Sequence, residues 1–98
     1  MVRHTSALEI VVGDLLRSQG LTLALSESCT GGFLGHRITN VSGSSDYFRG
    51  AIVAYASGVK KELLGVREDT LTTHGAVSEE AAREMARGAR RVIGADVG

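Results

Sequence analysis

One stretch in the first third of the chain narrows the possible folds more than any other. Residues 21–26 form a short apolar run bounded by turn signals, and this pattern predicts a β-strand. The loop of residues 27–32 is polar and ends in two glycines. Apolar residues at helical spacing follow over residues 33–38 and predict a helix. A strand that leads through a loop into a helix is a building unit of α/β folds, so we expect an α/β domain.

The rest of the sequence continues this alternation of helices and strands. A capping box at Ser6 and Glu9 marks the start of the first predicted helix, and Ser78 is predicted to cap the last one. We predict helices over residues 7–19, 58–64 and 79–93, and a short helical or irregular connection over 68–73. We also predict a tight turn over 46–48, a strand over 50–55, and the first residues of a third strand at 95–97. Together these elements predict a single three-layer α/β/α domain with a mixed sheet over residues 1–98.

Composition argues against several classes of function. Eleven basic and eleven acidic residues cancel, which argues against an electrostatic interaction with nucleic acid. No apolar stretch is long enough to cross a bilayer, and the first residues do not read as a secretory signal, so we expect a cytoplasmic protein without a membrane partner. The single cysteine, Cys29, rules out an internal disulfide and fits a reducing compartment. The three histidines lack the spacing of metal ligands, so no metal site is expected.

Residues 43–60 contain the parts of a hydrolytic site. Two adjacent serines, Ser44 and Ser45, lie in a predicted turn, and Tyr55 and Lys60 follow along the chain. A serine hydroxyl needs a base in order to attack an amide at neutral pH, and an unprotonated lysine amine can serve as that base. Ser, Tyr and Lys together are the side chains of a Ser–Lys hydrolase. The alternative is structural, because loop serines commonly form turns and lysines near a helix start are commonly solvated.

The spacing of these residues raises a geometric problem. The six residues of the predicted strand, 50–55, span about 20 Å and separate Ser45 from Lys60. The two side chains can share a site only if the turn at residues 46–48 folds back, or if two chains each contribute part of the site.

The loop after the first predicted strand is a candidate binding site. In a strand–loop–helix unit, backbone N–H groups and a helix N-terminus lie at the carboxyl edge of the sheet, where an anion is favoured. Ser28 and Thr30 would add hydroxyl donors, and Gly31 and Gly32 would let a ligand approach the backbone closely. In the structural alternative, Thr30 only caps the helix and the glycines only tighten the turn.

Glu27 and Cys29, in the same loop, each have two interpretations. Glu27 could orient a lysine or a substrate amide, or it could be a structural hydrogen-bond acceptor. Cys29 could be a nucleophile activated by a helix N-terminus, but no histidine is spaced to assist it. We therefore expect Cys29 to be a small buried residue.

Several short segments together are typical of a known family. They are Glu-Ser-Cys-Thr-Gly-Gly at residues 27–32, Gly-Ser-Ser at 43–45, the segment from Tyr55 to Lys60, and Leu64-Gly65-Val66 leading to His74-Gly75-Ala76-Val77-Ser78. With these motifs the chain closely resembles the CinA C-terminal domain family over residues 7–98. The resemblance implies an amidohydrolase that converts nicotinamide mononucleotide, a small-molecule substrate, to nicotinate mononucleotide and ammonia. No cofactor is implied.

The resemblance also implies roles for individual residues. It implies Ser45 as the nucleophile, Lys60 as its base, and Tyr55 as the residue that relays or orients the proton. Contacts with the substrate are implied for Glu27, Ser28, Thr30, Gly31, Gly32 and Ser44. Family members usually have Tyr-Ser-Asn ahead of the lysine, whereas this chain has Tyr55-Ala56-Ser57, so a side-chain amide that could position the substrate is missing.

Family members continue through further strands and helices, so the resemblance implies that this chain corresponds to the first half to two-thirds of the family domain. Exposed strand edges and uncovered helix faces favour pairing with another chain, and we therefore expect a homodimer or a higher homo-oligomer. We also expect little amidohydrolase activity from the 98-residue chain alone. The alternative function is a non-enzymatic nucleotide-binding or regulatory module that lacks turnover.

Overall fold

Helices and strands alternate along the chain in the computed structural model, which describes residues 7–98. The elements in chain order are α1 (Leu8–Gln19), β1 (Leu23–Glu27), α2 (Phe33–Thr39), a 3₁₀ turn (Ser44–Asp46), β2 (Phe48–Val53), α3 (Ser57–Leu64), α4 (Glu68–Thr73) and α5 (Glu79–Ile93). None of the helices within the described residues is both long and apolar enough to span a membrane.

Most boundaries agree with the sequence predictions to within two residues. The second strand begins earlier than predicted, because the tight turn lies at Ser44–Asp46 rather than at residues 46–48. The Ser6 half of the predicted capping box falls outside the described residues. Glu9 accepts a hydrogen bond of 2.6 Å from Nη2 of Arg37, so this carboxylate ties α1 to α2.

The sheet is parallel in the part of the chain that the structure describes. β1 pairs with β2 from Leu23 opposite Phe48 to Glu27 opposite Val53, with one register shift near the start. On the other side of β1, Val97 pairs with Leu23 in a single parallel bridge, so the predicted third strand does open there. Parallel neighbours need a crossover connection, and helices supply it here. The antiparallel pairing that a mixed sheet requires is not found among residues 7–98.

Two groups of apolar side chains form the core. The group on the α3–α5 side contains Ala24, Ala54, Leu64, Val66, Ala81, Met85 and Ala89. The group on the α1–α2 side contains Leu16, Leu23, Ile38 and Tyr47. Because neighbouring residues of a strand face opposite sides of a sheet, Leu23 and Ala24 belong to different groups. The predicted three-layer α/β/α arrangement is thereby confirmed.

Helices α3 and α5 approach closely at Gly88. A Cβ atom added to this buried glycine would lie 2.7 Å from the carbonyl carbon of Leu64 and closer still to its oxygen. Backbone cannot move aside as a flexible side chain can. The glycine therefore sets the distance between the two helices that border the cleft described below.

We expect Gly88→Ala to lower the free energy of unfolding by about 3 kcal/mol, as overpacking against backbone typically does. Gly58→Ala is the matched control, because Gly58 also lies in a helix and has open space around its Cα. That change should raise the free energy of unfolding, by up to about 1 kcal/mol, since alanine is the better helix former. Urea unfolding of both variants measures the difference, and equal effects would refute the close approach at Gly88.

Candidate active site

A cleft of about 300 Å³ opens at the carboxyl edge of the sheet. One wall is the loop that follows β1, which includes Ser28, Cys29 and Thr30. The other wall is formed by Lys60 of α3 and by the segment that leads into α5. The carboxyl edge of parallel strands is the usual ligand-binding edge in α/β folds. Within residues 7–98, no group of His, Cys, Asp and Glu side chains is arranged to hold a metal ion.

Lys60 is the most unusual residue of the cleft, because its side chain is almost completely buried, with only 3% of its surface exposed. Its Nζ donates a hydrogen bond of 3.3 Å to the carbonyl oxygen of Ala76, and the described residues place no carboxylate within ion-pair distance of it. Buried lysines are rare unless they are paired. An ammonium or amine group has further hydrogen-bonding capacity, and here this capacity faces a cavity lined largely by apolar groups such as Leu34 and Met85.

Glu27 has a structural role, which settles one of the alternatives left open by the sequence. Its buried carboxylate accepts four hydrogen bonds, from Thr30 Oγ1 at 2.7 Å and from the N–H groups of Gly32, Leu34 and Gly35 at 3.1, 2.9 and 2.8 Å. Burial raises the pKa of Glu27, but the hydrogen bonds from Thr30 and the three N–H groups outweigh it and hold the pKa below its ordinary value. The carboxylate thus anchors the start of α2 to the end of β1.

The same contacts occupy the N–H groups at the start of α2, so these groups are not free to bind an anion. Glu27 accepts from three of them, and the N–H groups of Gly31 and Phe33 donate to the carbonyl oxygens of Ser28 and Thr30, both at 3.0 Å. A carboxylate from the same loop satisfies these donors without the entropy cost of capturing a ligand, and its charge repels a second anion.

The two glycines of the loop serve to shape the turn, which is the structural alternative given for them in the sequence analysis. Gly31 and Gly32 have φ values of 62° and 108°, a region that side chains rarely adopt, and neither glycine lines the cleft. They are needed for the shape of the turn. Ser28 and Thr30 do line the cleft, so of the predicted binding residues of this loop these two hydroxyls remain candidates for ligand contact.

Cys29 is exposed, so the expectation of a buried cysteine is wrong. The loop turns sharply there, with the N–H of Gly31 bonded to the carbonyl oxygen of Ser28, and this turn leaves the two residues between them, Cys29 and Thr30, at the surface. The thiol lines the same cleft as Lys60.

The predicted Ser–Tyr–Lys group is not assembled within one chain. Ser45 lies in the 3₁₀ turn before β2, at the amino edge of the sheet, whereas Lys60 lies beyond the carboxyl edge. The six residues of β2 separate them by about 20 Å. Tyr55 is 74% exposed and does not line the cleft, and Ser44 is buried at the turn. Of the three residues, only Lys60 borders the cleft.

The turn does not fold back toward Lys60, which removes one of the two routes that the sequence left open. Its hydrogen bonds are local, from Asp46 N–H to Gly43 O and from Tyr47 N–H to Ser44 O, both 3.1 Å. Arg17 of α1 donates to the Gly43 carbonyl at 3.0 Å and holds the turn against α1. Ser45 could therefore reach the Lys60 cleft only from a second chain, whereas Ser28 and Thr30 of the same chain line that cleft.

Sequence reasoning missed the wall contributed by the segment before α5. Ala76, Val77 and Ser78 line the cleft, and Met85 closes it from α5. The available signal was the predicted cap at Ser78, because helices that follow strands in α/β folds often begin at the carboxyl edge of the sheet. That cap is confirmed, since Ser78 Oγ accepts a hydrogen bond of 3.1 Å from Ala81 N–H.

Comparisons of this chain with protein families, curated sequences and solved structures point to one family. Residues 5–98 match the CinA C-terminal domain. A CinA-like protein from Salinibacter ruber is 55% identical over 91 residues, which cover 93% of this chain and 22% of that protein. The crystal structure of a competence-damaged protein (CinA) superfamily protein from Enterobacter cloacae superposes with a TM-score of 0.88 at 34% identity, covering 91% of this chain and 53% of that one.

A third relative, the competence/damage inducible protein CihA from Agrobacterium tumefaciens, superposes with a TM-score of 0.82 at 36% identity, over 92% of this chain and 53% of that one. The chain therefore spans about a fifth of the length of the curated relatives it matches and about half of the solved ones. Since the match to the domain extends over nearly all of the sequence, this chain belongs to the CinA C-terminal domain family.

Proposed function

We propose that the domain to which this chain contributes is a cytoplasmic amidohydrolase of pyridine nucleotide salvage. It hydrolyses the carboxamide of nicotinamide mononucleotide to a carboxylate and ammonia. The observation that carries the proposal is Lys60, a buried lysine that faces a largely apolar cleft with one carbonyl as its hydrogen-bond acceptor. A desolvated amine in such a position suits a general base.

The chemistry assigns one task to each group. Lys60 accepts the proton of the attacking serine hydroxyl, and the serine oxygen bonds to the carboxamide carbon. The bond from that carbon to nitrogen then breaks, and ammonia leaves with the proton that the lysine held. Water hydrolyses the resulting ester, which frees the serine and the product carboxylate. In this proposal Ser45, which a second chain would have to bring to the cleft, is the nucleophile and Tyr55 orients the proton.

The cleft suits the uncharged part of the substrate. Leu34 and Met85 give the aromatic ring apolar surface, and the hydroxyls of Ser28 and Thr30 are hydrogen-bonding groups in the wall formed by the loop after β1. Because Glu27 already places a negative charge at the start of α2, the phosphate of the substrate lies toward the open side of the cleft.

One observation favours a second candidate, a nucleotide-binding module without turnover. A single chain does not bring Ser45 to Lys60, so its cleft lacks the proposed nucleophile while keeping the features that favour binding. The two candidates differ in one property, the release of ammonia from a ligand that both bind.

Ammonia release and binding of nicotinamide mononucleotide, followed together, test the proposal. Two forms are needed: the 98-residue chain, and an extended chain that continues after Gly98 with the residues that follow the matched segment in the Salinibacter relative. We expect both forms to bind the nucleotide and the extended chain to release ammonia. Binding by both without ammonia from either would establish the binding module instead, and absence of binding would exclude both candidates.

A further inference from the structure

Two residues in the wall of the cleft are hydrogen-bonded to each other. Glu27, at the end of β1, and Thr30, in the loop that follows, both line the cleft. The Thr30 Oγ1 atom lies 2.7 Å from Glu27 Oε1, a distance typical of a hydroxyl bonded to a charged acceptor. The carboxylate is 3% exposed, whereas Thr30 is exposed. The threonine hydroxyl therefore lies between the carboxylate and the open part of the cleft.

The proton of this hydrogen bond belongs to the threonine. Glu27 also accepts the N–H groups of Gly32 and Leu34 at Oε1 and that of Gly35 at Oε2, so donors surround the carboxylate. Although burial raises the pKa of Glu27, the hydrogen bonds that it accepts hold this pKa below its ordinary value. The carboxylate thus has no proton to share near neutral pH. A hydroxyl has a single proton, and Thr30 gives its proton to Glu27.

The Thr30 hydroxyl can therefore only accept hydrogen bonds from a ligand. A free hydroxyl turns to donate or to accept as its partner requires, but turning here would break a charge-assisted bond to a buried carboxylate. Ser78, in the other wall, also has its proton in use, in a bond of 2.8 Å to the Gly75 carbonyl oxygen. Its oxygen already accepts the Ala81 N–H as the cap of α5. Thr30 is thus the hydroxyl with a fixed direction and lone pairs to offer.

We propose that Thr30 selects a primary carboxamide by accepting one of its N–H groups, while Glu27 holds the hydroxyl in the accepting direction. This inference rests on the proposed function for the class of ligand. A carboxamide has two N–H donors, whereas the carboxylate that hydrolysis produces has none. At Thr30 the product therefore meets only lone pairs, with the charge of Glu27 behind them. The same wall that holds the amide disfavours the acid and so promotes product release.

Lys60 does not make this distinction by hydrogen bonding. Its nitrogen can donate to an oxygen of either ligand, and a positive charge on it would favour the acid. A comparison of amide with acid would thus combine the effects of two residues. The role of Thr30 is isolated by a pair of ligands that differ in their donors but not in their charge.

A methyl ketone in place of the carboxamide provides such a pair. In the methyl ketone analogue of nicotinamide mononucleotide, CH₃ replaces NH₂, which keeps the shape and removes both donors. We expect the 98-residue chain to bind the amide at least about tenfold more tightly than the ketone, because the ketone leaves the Thr30 acceptor unpaired. Benzamide and acetophenone differ in the same way and should show the same preference without the nucleotide. NMR titration measures all four affinities.

Two substitutions at Thr30 separate recognition from a structural role. Thr30→Val should abolish the preference for the amide, and Thr30→Ser, which keeps the hydroxyl, should retain it. Valine has nearly the shape of threonine, so a merely structural role would weaken amide and ketone equally and leave their ratio unchanged. Thr39→Val is the matched control and should keep the native ratio. Thr39 donates to the His36 carbonyl oxygen at 3.1 Å at the end of α2, and it does not line the cleft.

The outcomes distinguish this inference from the function it rests on. Equal affinity of the native chain for amide and ketone would overturn the inference even if the valine variant did not fold, and so would a preference that survives Thr30→Val. Ammonia release from the extended chain would in either case keep the function. A Thr30-dependent preference for benzamide without binding of the nucleotide would remove the function and keep the inference. If no carboxamide bound, both would be wrong.

Discussion

Replacing Lys60 by arginine in the extended chain should reduce ammonia release from nicotinamide mononucleotide at least about 100-fold, the usual contribution of a positioned general base. A guanidinium group keeps the positive charge but cannot give up its proton, so it cannot accept one from a serine. Initial rates of ammonia release from the native and variant proteins measure this effect.

Lys61→Arg is the matched control for this change. Lys61 is the next residue of α3, but it is exposed and its Nζ lies 2.7 Å from the Glu68 carboxylate. That variant should keep native activity. Binding of the nucleotide to Lys60→Arg, measured by calorimetry, shows whether the variant still forms the cleft. If Lys60→Arg kept more than about a tenth of the activity, corresponding to less than about 1.4 kcal/mol of barrier, Lys60 would act only as a charge.

Glu27→Gln should lower the free energy of unfolding by about 3 kcal/mol, because hydrogen bonds to a buried charged group contribute about 1.5–3 kcal/mol each. The amide has one acceptor oxygen, whereas the carboxylate uses both, with Oε2 bonded to Gly35 N–H at 2.8 Å and Oε1 to three other donors. An amide nitrogen beside a buried N–H group leaves that group unpaired. In a domain of this size the melting temperature should fall by about 12–24 °C.

Thermal unfolding followed by circular dichroism measures this loss. Glu62→Gln is the control, since Glu62 is exposed on α3, and surface substitutions of this kind usually change stability by less than about 0.5 kcal/mol. Equal melting temperatures for the two variants would mean that the carboxylate of Glu27 does not hold the start of α2.

The same carboxylate makes stability depend on pH in a defined direction. The pKa of Glu27 in the folded protein lies below its ordinary value of 4.5. A lowered pKa stabilises the fold above the unfolded pKa, and this contribution is lost as the pH falls through the folded pKa. The free energy of unfolding of the native chain, measured in urea, should therefore fall as the pH drops below about 4.5. In Glu27→Gln this free energy should depend less on pH. Parallel pH curves for both proteins would contradict this assignment.

Local patterns in the sequence were enough to predict most of the fold. The apolar spacing of α1 and α5, the short run that becomes β1 and the Ser78 cap are properties of neighbouring residues. They are therefore readable without a structure. The separation of Ser45 from Lys60 also follows from local information, because strand length alone fixes it. The confirmed three-layer arrangement depends on these signals.

Which residues form the site depends on contacts between residues that are distant in the chain, and local sequence patterns do not reveal such contacts. The loop at residues 27–32 matches both an anion-binding loop and a loop closed by its own carboxylate. Only the position of the Glu27 side chain distinguishes the two. Lysines near a helix start are usually solvated, and Lys60 is buried because the segment at Ala76 covers it from far along the chain.

Residue-resolved NMR titration with nicotinamide mononucleotide tests most directly whether the Lys60 cleft is the substrate site. The account predicts that amide shifts concentrate at the loop that contains Ser28 and Thr30, at the start of α3, and at Ala76 and Val77. Lys60→Met, which keeps the length of the side chain without its charge, should weaken these shifts together. Shifts confined to the opposite edge of the sheet, or unchanged by Lys60→Met, would contradict the account.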